Sequence, residues 1–173
     1  MHRTTQRGEG VVGRIEFDTV VAGILAGAVM ALVETVASVI AGEGALLPLQ
    51  SAASVVLHRN AFSSDNLFLV VLVGIVIHFS IAMMYAFAFG VFNTQLRWLT
   101  RIRGPREAIF GMAFASLIWL LDFQLIARNF YPWMFEHSQV VQWLIHAVGF
   151  GLPLGLLFAQ REPPLRVGER PER

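Results

Sequence analysis

The sequence predicts an all-α integral membrane protein built as a four-helix bundle, and three observations carry that prediction. Hydrophobic residues make up 55% of the chain and charged residues 14%, with a mean hydropathy of +0.61, far from the usage of a soluble domain. Four apolar runs, at about 19–41, 67–92, 107–127 and 139–159, each reach the roughly 20 residues needed to cross a hydrocarbon core. Ionisable residues are sparse inside these runs, so the few that occur there each demand a physical reason.

Residues 1–18 are polar and read as a tail, and the first apolar run is too long for the core of a cleavable signal peptide. The runs and their connections form a single membrane domain over 19–160. Its longest connection, 42–66, contains "GALLPLQSAASVVLHRN", in which Pro48 suits a first helical turn; a short interfacial helix over about 48–58 is expected there. The third span opens on Gly104, Pro105 and Glu107, a turn, a first-turn proline and an acid at the positive helix end. The last segment, 161–173, is charged and proline-bearing and reads as a disordered tail.

The chain has no lysine, and its arginines set the expected orientation. Eleven lie in the two tails and the middle connection; only Arg59 and Arg128 lie in the other two connections. By the positive-inside rule both termini and the middle connection are cytoplasmic. Aromatic anchors agree, with Phe130, Tyr131, Trp133, Phe135 and Trp143 clustered at the outer end of spans three and four. The net charge of +1 gives no reason to expect nucleic acid as a partner. With no cysteine, disulfides, thiolate metal sites and cysteine nucleophiles are excluded. The lipid bilayer is the one expected partner; a membrane-complex subunit or a second copy of the chain is a further one.

A repeat runs through the spans. Gly23 and Gly27 precede Glu34 by eleven and seven residues, and Gly111 and Ala115 precede Asp122 by the same distances. Spans two and four each carry an Ile-His pair, Ile77-His78 and Ile145-His146. An acid-bearing span followed by a histidine-bearing span thus occurs twice, which implies two hairpins related by an axis along the membrane normal.

A helical wheel sets Glu34 on a stripe of small residues with Gly27, Ala31 and Ser38. It sets Asp122 over Ala108, Gly111 and Ala115, His78 near Gly74, Ala82 and Tyr85, and His146 near Gln139, Gln142, Gly149 and Pro153. Small residues are where membrane helices approach closely, so all four ionisable side chains are expected to face the bundle interior. At 1.5 Å per residue, Glu34, Asp122 and His146 lie roughly 9–12 Å below the outer end and His78 roughly 18 Å below it. Glu34 is therefore expected to pair with His78, and Asp122 with His146, with Ser38, Tyr85, Gln139 and Gln142 in support.

Burying an acid at mid-span costs about 2.5–3.5 kcal/mol on insertion scales, so such a cluster needs a use. As a structural device, the pairs would satisfy one another and fix helix register in a non-catalytic accessory protein. As a relay, they would carry protons or a small ion, histidine being the side chain that titrates near neutral pH; Pro153 would permit a kink within a turn of His146. As ligands, they would hold a metal ion, or His78 and His146 a haem b. Against that stand the absence of Glu-x-x-His or His-x-x-x-His on any one helix and the small-residue faces, which bring helices too close for a macrocycle. No nucleophile-elbow, phosphate-loop or redox motif occurs, and no catalytic residue is assigned.

The segments "GILAGAVMAL", "GIVIHFSIAMMYAF", "AIFGMAFASLIWLL" and "WLIHAVGFGLPLGL" together resemble the YagU-like group of small bacterial inner-membrane proteins, over about residues 20–160. The resemblance implies four spans, histidines at positions matching His78 and His146, and no established activity. A role in stress tolerance has been suggested for the group, without a mechanism. It does not extend to Glu34 and Asp122.

Overall fold

Every apolar run forms helix, and the computed structural model describes the backbone of residues 5–100 and 105–160 and the side chains of 19–93 and 106–160. In chain order the elements are α1 (Thr5–Ile40), α2 (Leu47–Leu57), α3 (Asn60–Ser63), α4 (Leu67–Thr100) and α5 (Pro105–Trp119). A π-helical segment (Leu120–Ala127) then leads to α6 (Arg128–Phe130) and a 3₁₀ turn (Pro132–Phe135). The fourth span is α7 (Gln139–Leu144), a second π-helical segment (Ile145–Gly151) and α8 (Leu152–Gln160). Four stretches are long and apolar enough to cross a membrane: Thr19–Ile40, Leu67–Asn93, Arg106–Phe130 and Gln139–Gln160. The chain is an all-α, multi-pass integral membrane protein.

One boundary differs from expectation. α1 begins at Thr5, so most of the polar tail expected over 1–18 continues the first span as helix. Hydropathy marks where lipid can begin, whereas a helix satisfies its own backbone bonds in either solvent and can project beyond the apolar layer. The tail expected over 161–173 lies outside the described residues. The expected starts hold: Pro48 lies in the first turn of α2 and Pro105 opens α5.

α1 packs along α4 and along the second π segment and α8, while α5 packs against the same two elements of the fourth span. The fourth span is thus interior to the bundle, with 39% of its most apolar window buried against 17–22% in the other three. The seam is made of small residues. Ala22, Ala26, Ala82, Ala86 and Ala115 are buried, with Phe89, Phe150 and Leu154 filling between them. Large residues such as Ile40, Phe68 and Leu32 stay exposed, as a lipid-facing surface requires.

The two hairpins repeat one burial pattern. At an offset of 88 residues, Thr19, Gly23, Gly27 and Met30 correspond to Glu107, Gly111, Ala115 and Ile118, and all eight are buried. In each hairpin the glycine meets the partner helix five residues beyond its histidine. A methyl group on Gly23 would lie 2.8 Å from the Met83 Cα, and one on Gly111 would collide with the Gly151 carbonyl oxygen.

α2 and α3 and the 131–138 connection lie together at one end of the bundle, here the distal end. α2 packs against α4 so closely that the Leu49 carbonyl occupies the space a side chain on Gly74 would need. Trp133 Nε1 donates to Ser54 Oγ at 2.9 Å, Tyr131 Oη donates to the Val55 carbonyl at 3.3 Å, and Arg59 pairs with Glu136 at 3.2 Å. The two distal connections are thereby clasped to each other.

Candidate functional site

Glu34, six residues before the distal end of α1, and His78, on the facing surface of α4, approach each other because the Gly23–Gly27 stripe lets those two helices close to backbone contact. His78 Nδ1 lies 4.0 Å from Glu34 Oε2, and both side chains are nearly buried, 9% and 15% exposed. The other ring nitrogen, Nε2, is 2.9 Å from the Gly27 carbonyl oxygen. A carbonyl only accepts, so Nε2 carries the hydrogen; in the neutral ring Nδ1 is then a bare acceptor turned toward a carboxyl group. Among the described residues Glu34 has no hydrogen-bond partner. The pair is held at a distance that a shared proton or a bridging donor would close.

Asp122 sits in the first π segment and accepts a hydrogen bond from Tyr85 Oη at 2.5 Å. This departs from the expected Asp122–His146 pair. His146, in the second π segment, donates from Nδ1 to the Gln142 carbonyl of its own preceding turn at 2.8 Å, and its ring stands edge-on to Phe123, 5.3 Å between centroids. Its Nε2 is therefore the acceptor nitrogen. The physical reason for the change of partner is the pair of π segments. Each widens its helix by one residue per turn, so a wheel drawn at a constant 100° no longer gives the direction of the side chains beyond it.

Gln139, the first residue of α7, turns back onto the 131–138 connection and away from the cluster. Expected beside His146, it instead lines a shallow groove with Ser116, Trp119 and Trp143 on another face of the fourth span. Its Nε2 donates to the Met134 and His137 carbonyls, while its Oε1 is buried without a partner, as is Trp119 Nε1. Gln142 does face the cluster.

Glu34, Ser38, His78, Tyr85, Asp122, Gln142 and His146 all line one cavity of about 460 Å³. Most of its wall is apolar, from Met30, Ile118, Phe123 and Phe150 among others, and it extends distally past Pro48 and Ser51 of α2 to Glu43 and His137. Those last two are hydrogen-bonded at 3.0 Å where the cavity reaches the distal surface. Ser38 does not contribute its hydroxyl hydrogen to the cluster: it closes the end of α1 by donating to the Gly44 carbonyl at 2.6 Å.

Sequence reasoning missed two participants and the partner of a third. Tyr85 was placed on the face of His78 but not against Asp122, 37 positions away. Glu43 and His137 belong to connections with no periodicity to align them, and only the clasp between α2 and the 131–138 connection joins them. Glu107, read as a helix-end charge, is 1% exposed at the opposite end of the bundle.

Among the described residues no three of histidine, aspartate or glutamate converge closely enough to hold a metal ion. The lining can accept hydrogen bonds at several points and donate at few. No family model, curated protein or solved structure matches the chain.

Proposed function

We propose that the protein handles protons or a small ion within the membrane, using Glu34, His78, Asp122 and His146 around a shared cavity. One observation carries the reading: the titratable groups line open space instead of packing shut on one another. Pairs that serve only to fix helix register gain by direct hydrogen bonding and by excluding volume. Glu34 and His78 stand too far apart for a direct hydrogen bond, yet too close to be indifferent to a proton. Proton arrival at His78 Nδ1 or at the Glu34 carboxyl converts an acceptor–acceptor contact into an attractive pair. Binding and release at this point therefore change the local charge, as intramembrane relays require.

The arginine distribution supports a direction for the cavity: it opens on the side opposite the termini, which the positive-inside rule makes the outer side of the membrane. The resemblance to the YagU-like group bears on the fold and supplies no activity, so the functional reading rests on the geometry. Proton flux into liposomes carrying the purified protein tests it. Wild type should exceed empty vesicles at least tenfold, and His78→Ala and Glu34→Gln should each return flux to background. Wild-type flux at the level of empty vesicles ends the proposal.

A second reading, a non-catalytic accessory membrane protein, is favoured by the Tyr85–Asp122 bond, which ties the two hairpins together without touching the Glu34–His78 pair. It calls for a partner that co-purifies in mild detergent and for no flux at all.

A further inference from the structure

The cavity's titratable lining is almost entirely one of acceptors, and the amide and hydroxyl donors it also holds, on Gln142, Ser51 and Ser138, make no hydrogen bond to Glu34 or His78. Its lining includes three carboxyl groups, Glu34, Glu43 and Asp122, and no arginine or lysine. Of its three histidines, His78 and His146 have each committed one ring nitrogen as donor to a backbone carbonyl, which leaves the other as an acceptor, and His137 is paired with Glu43. The Tyr85 hydroxyl hydrogen is taken by Asp122. Glu34 is left as the buried acid with no donor, facing the bare Nδ1 of a histidine that is itself nine-tenths buried. Buried acceptors without donors are costly, so this arrangement awaits a group that brings N–H or O–H bonds.

We propose that the cavity is a binding site for a protonated amine with an apolar body, its ammonium group bridging Glu34 and His78. The inference rests on the proposed function, because it uses the same cavity and the same acid, and it specifies what besides a proton that acid would meet. An ammonium nitrogen about 2.7–2.9 Å from each of two acceptors can bridge the 4.0 Å between Glu34 Oε2 and His78 Nδ1. Charge alone does not meet the need: a quaternary ammonium offers no hydrogen to either acceptor. The apolar body is called for by the walls of Met30, Ile118, Phe123 and Phe150. A volume of about 460 Å³ falls within the range of small-molecule sites, roughly 300–1,000 Å³, and is far more than a bare ion fills.

The test is equilibrium dialysis of purified wild-type protein in detergent at neutral pH against three radiolabelled probes of one shape. Benzylamine carries charge and N–H bonds, benzyltrimethylammonium carries charge alone, and benzyl alcohol carries neither the charge nor the N–H. Benzylamine should bind at least tenfold more tightly than either of the others, and Glu34→Gln should abolish that preference while Glu34→Asp retains part of it. Equal affinity for benzylamine and benzyl alcohol overturns the proposal, and tighter binding of the quaternary probe overturns the bridging geometry. Because the three-probe comparison is made on wild type, a Glu34 variant that fails to fold does not shield the idea. Amine-selective binding without proton flux would sink the relay and keep the site; flux without amine selectivity would sink this inference alone.

Discussion

The two hairpins follow one plan at their seams and diverge where the ionisable groups lie. In the first, α1 and α4 are unbroken, and His78 reaches across to the carbonyl of Gly27 on the partner helix. In the second, both spans pass through a π segment at the level of the ionisable residue, His146 turns back on its own helix, and Asp122 reaches out to Tyr85 of the first hairpin. A regular helix keeps a side chain aimed at its seam. A π segment rotates that side chain out of the seam toward a third helix, at the cost of weaker backbone geometry, and such segments recur at functional sites. The comparison suggests that the first hairpin supplies the buried acid–histidine pair and that the second supplies the opening beside it.

The largest expected effect tests whether the seams are as different as the sites. At Gly111 an added methyl would collide with the Gly151 backbone carbonyl, whereas at Gly27 its nearest neighbour would be the Ala82 Cβ at 2.8 Å. A backbone oxygen in a packed helix yields less readily than a methyl-bearing side chain. Gly111→Ala should therefore cost about 3 kcal/mol or more, and Gly27→Ala about 1 kcal/mol. Denaturation in mixed micelles, followed by tryptophan fluorescence, measures both. Equal costs would erase the distinction between the backbone contact at Gly111 and the side-chain contact at Gly27.

Next in size is the link between the hairpins. Tyr85→Phe removes the donor to Asp122 while keeping the ring, and interhelical hydrogen bonds in membranes are worth about 0.6 kcal/mol on average and up to about 1.7 kcal/mol. The loss should fall at the upper end of that range, because Asp122 keeps its burial and loses its donor. A double-mutant cycle with Asp122→Asn measures it, and a coupling near zero would mean that the hairpins are held by packing alone.

How much of this was legible in the sequence depends on whether the determining signal was local. Hydropathy fixed the spans to within a few residues, because lipid imposes both a length and a composition. Pro48 and Pro105 marked helix starts because a missing N–H costs least in a first turn. The seams were readable from small residues every fourth position. The second π segment left a partial trace: it ends just before Pro153, whose ring cannot tolerate a regular turn against the Gly149 carbonyl. The first left none, since "LLDFQLIA" contains neither proline nor glycine. Gln139 was misplaced because a helical wheel carries no sign of a side chain that turns back onto the preceding connection, and the Tyr85–Asp122 bond was invisible because it joins different hairpins. The Glu43–His137 pair depends on two connections meeting, which no periodicity encodes.

The smallest expected effect lies at the distal clasp, where the hairpins meet outside the cavity. Arg59 and Glu136 pair at 3.2 Å, but their side chains are 66% and 62% exposed, and Arg59 also lies over the Trp133 ring, 5.5 Å from its centroid. Glu136→Gln removes the ion pair and leaves the cation–π contact in place, so it isolates the weaker half of the clasp. Water screens both charges and each long side chain loses freedom when paired, so the cost should be under about 0.5 kcal/mol and should vanish in half-molar salt, where the screening length is about 4 Å. The same denaturation assay at low and high salt reads it. A cost above about 1 kcal/mol that persists in salt would mean that the distal connections, more than the Tyr85–Asp122 bond, hold the two hairpins in register around the cavity.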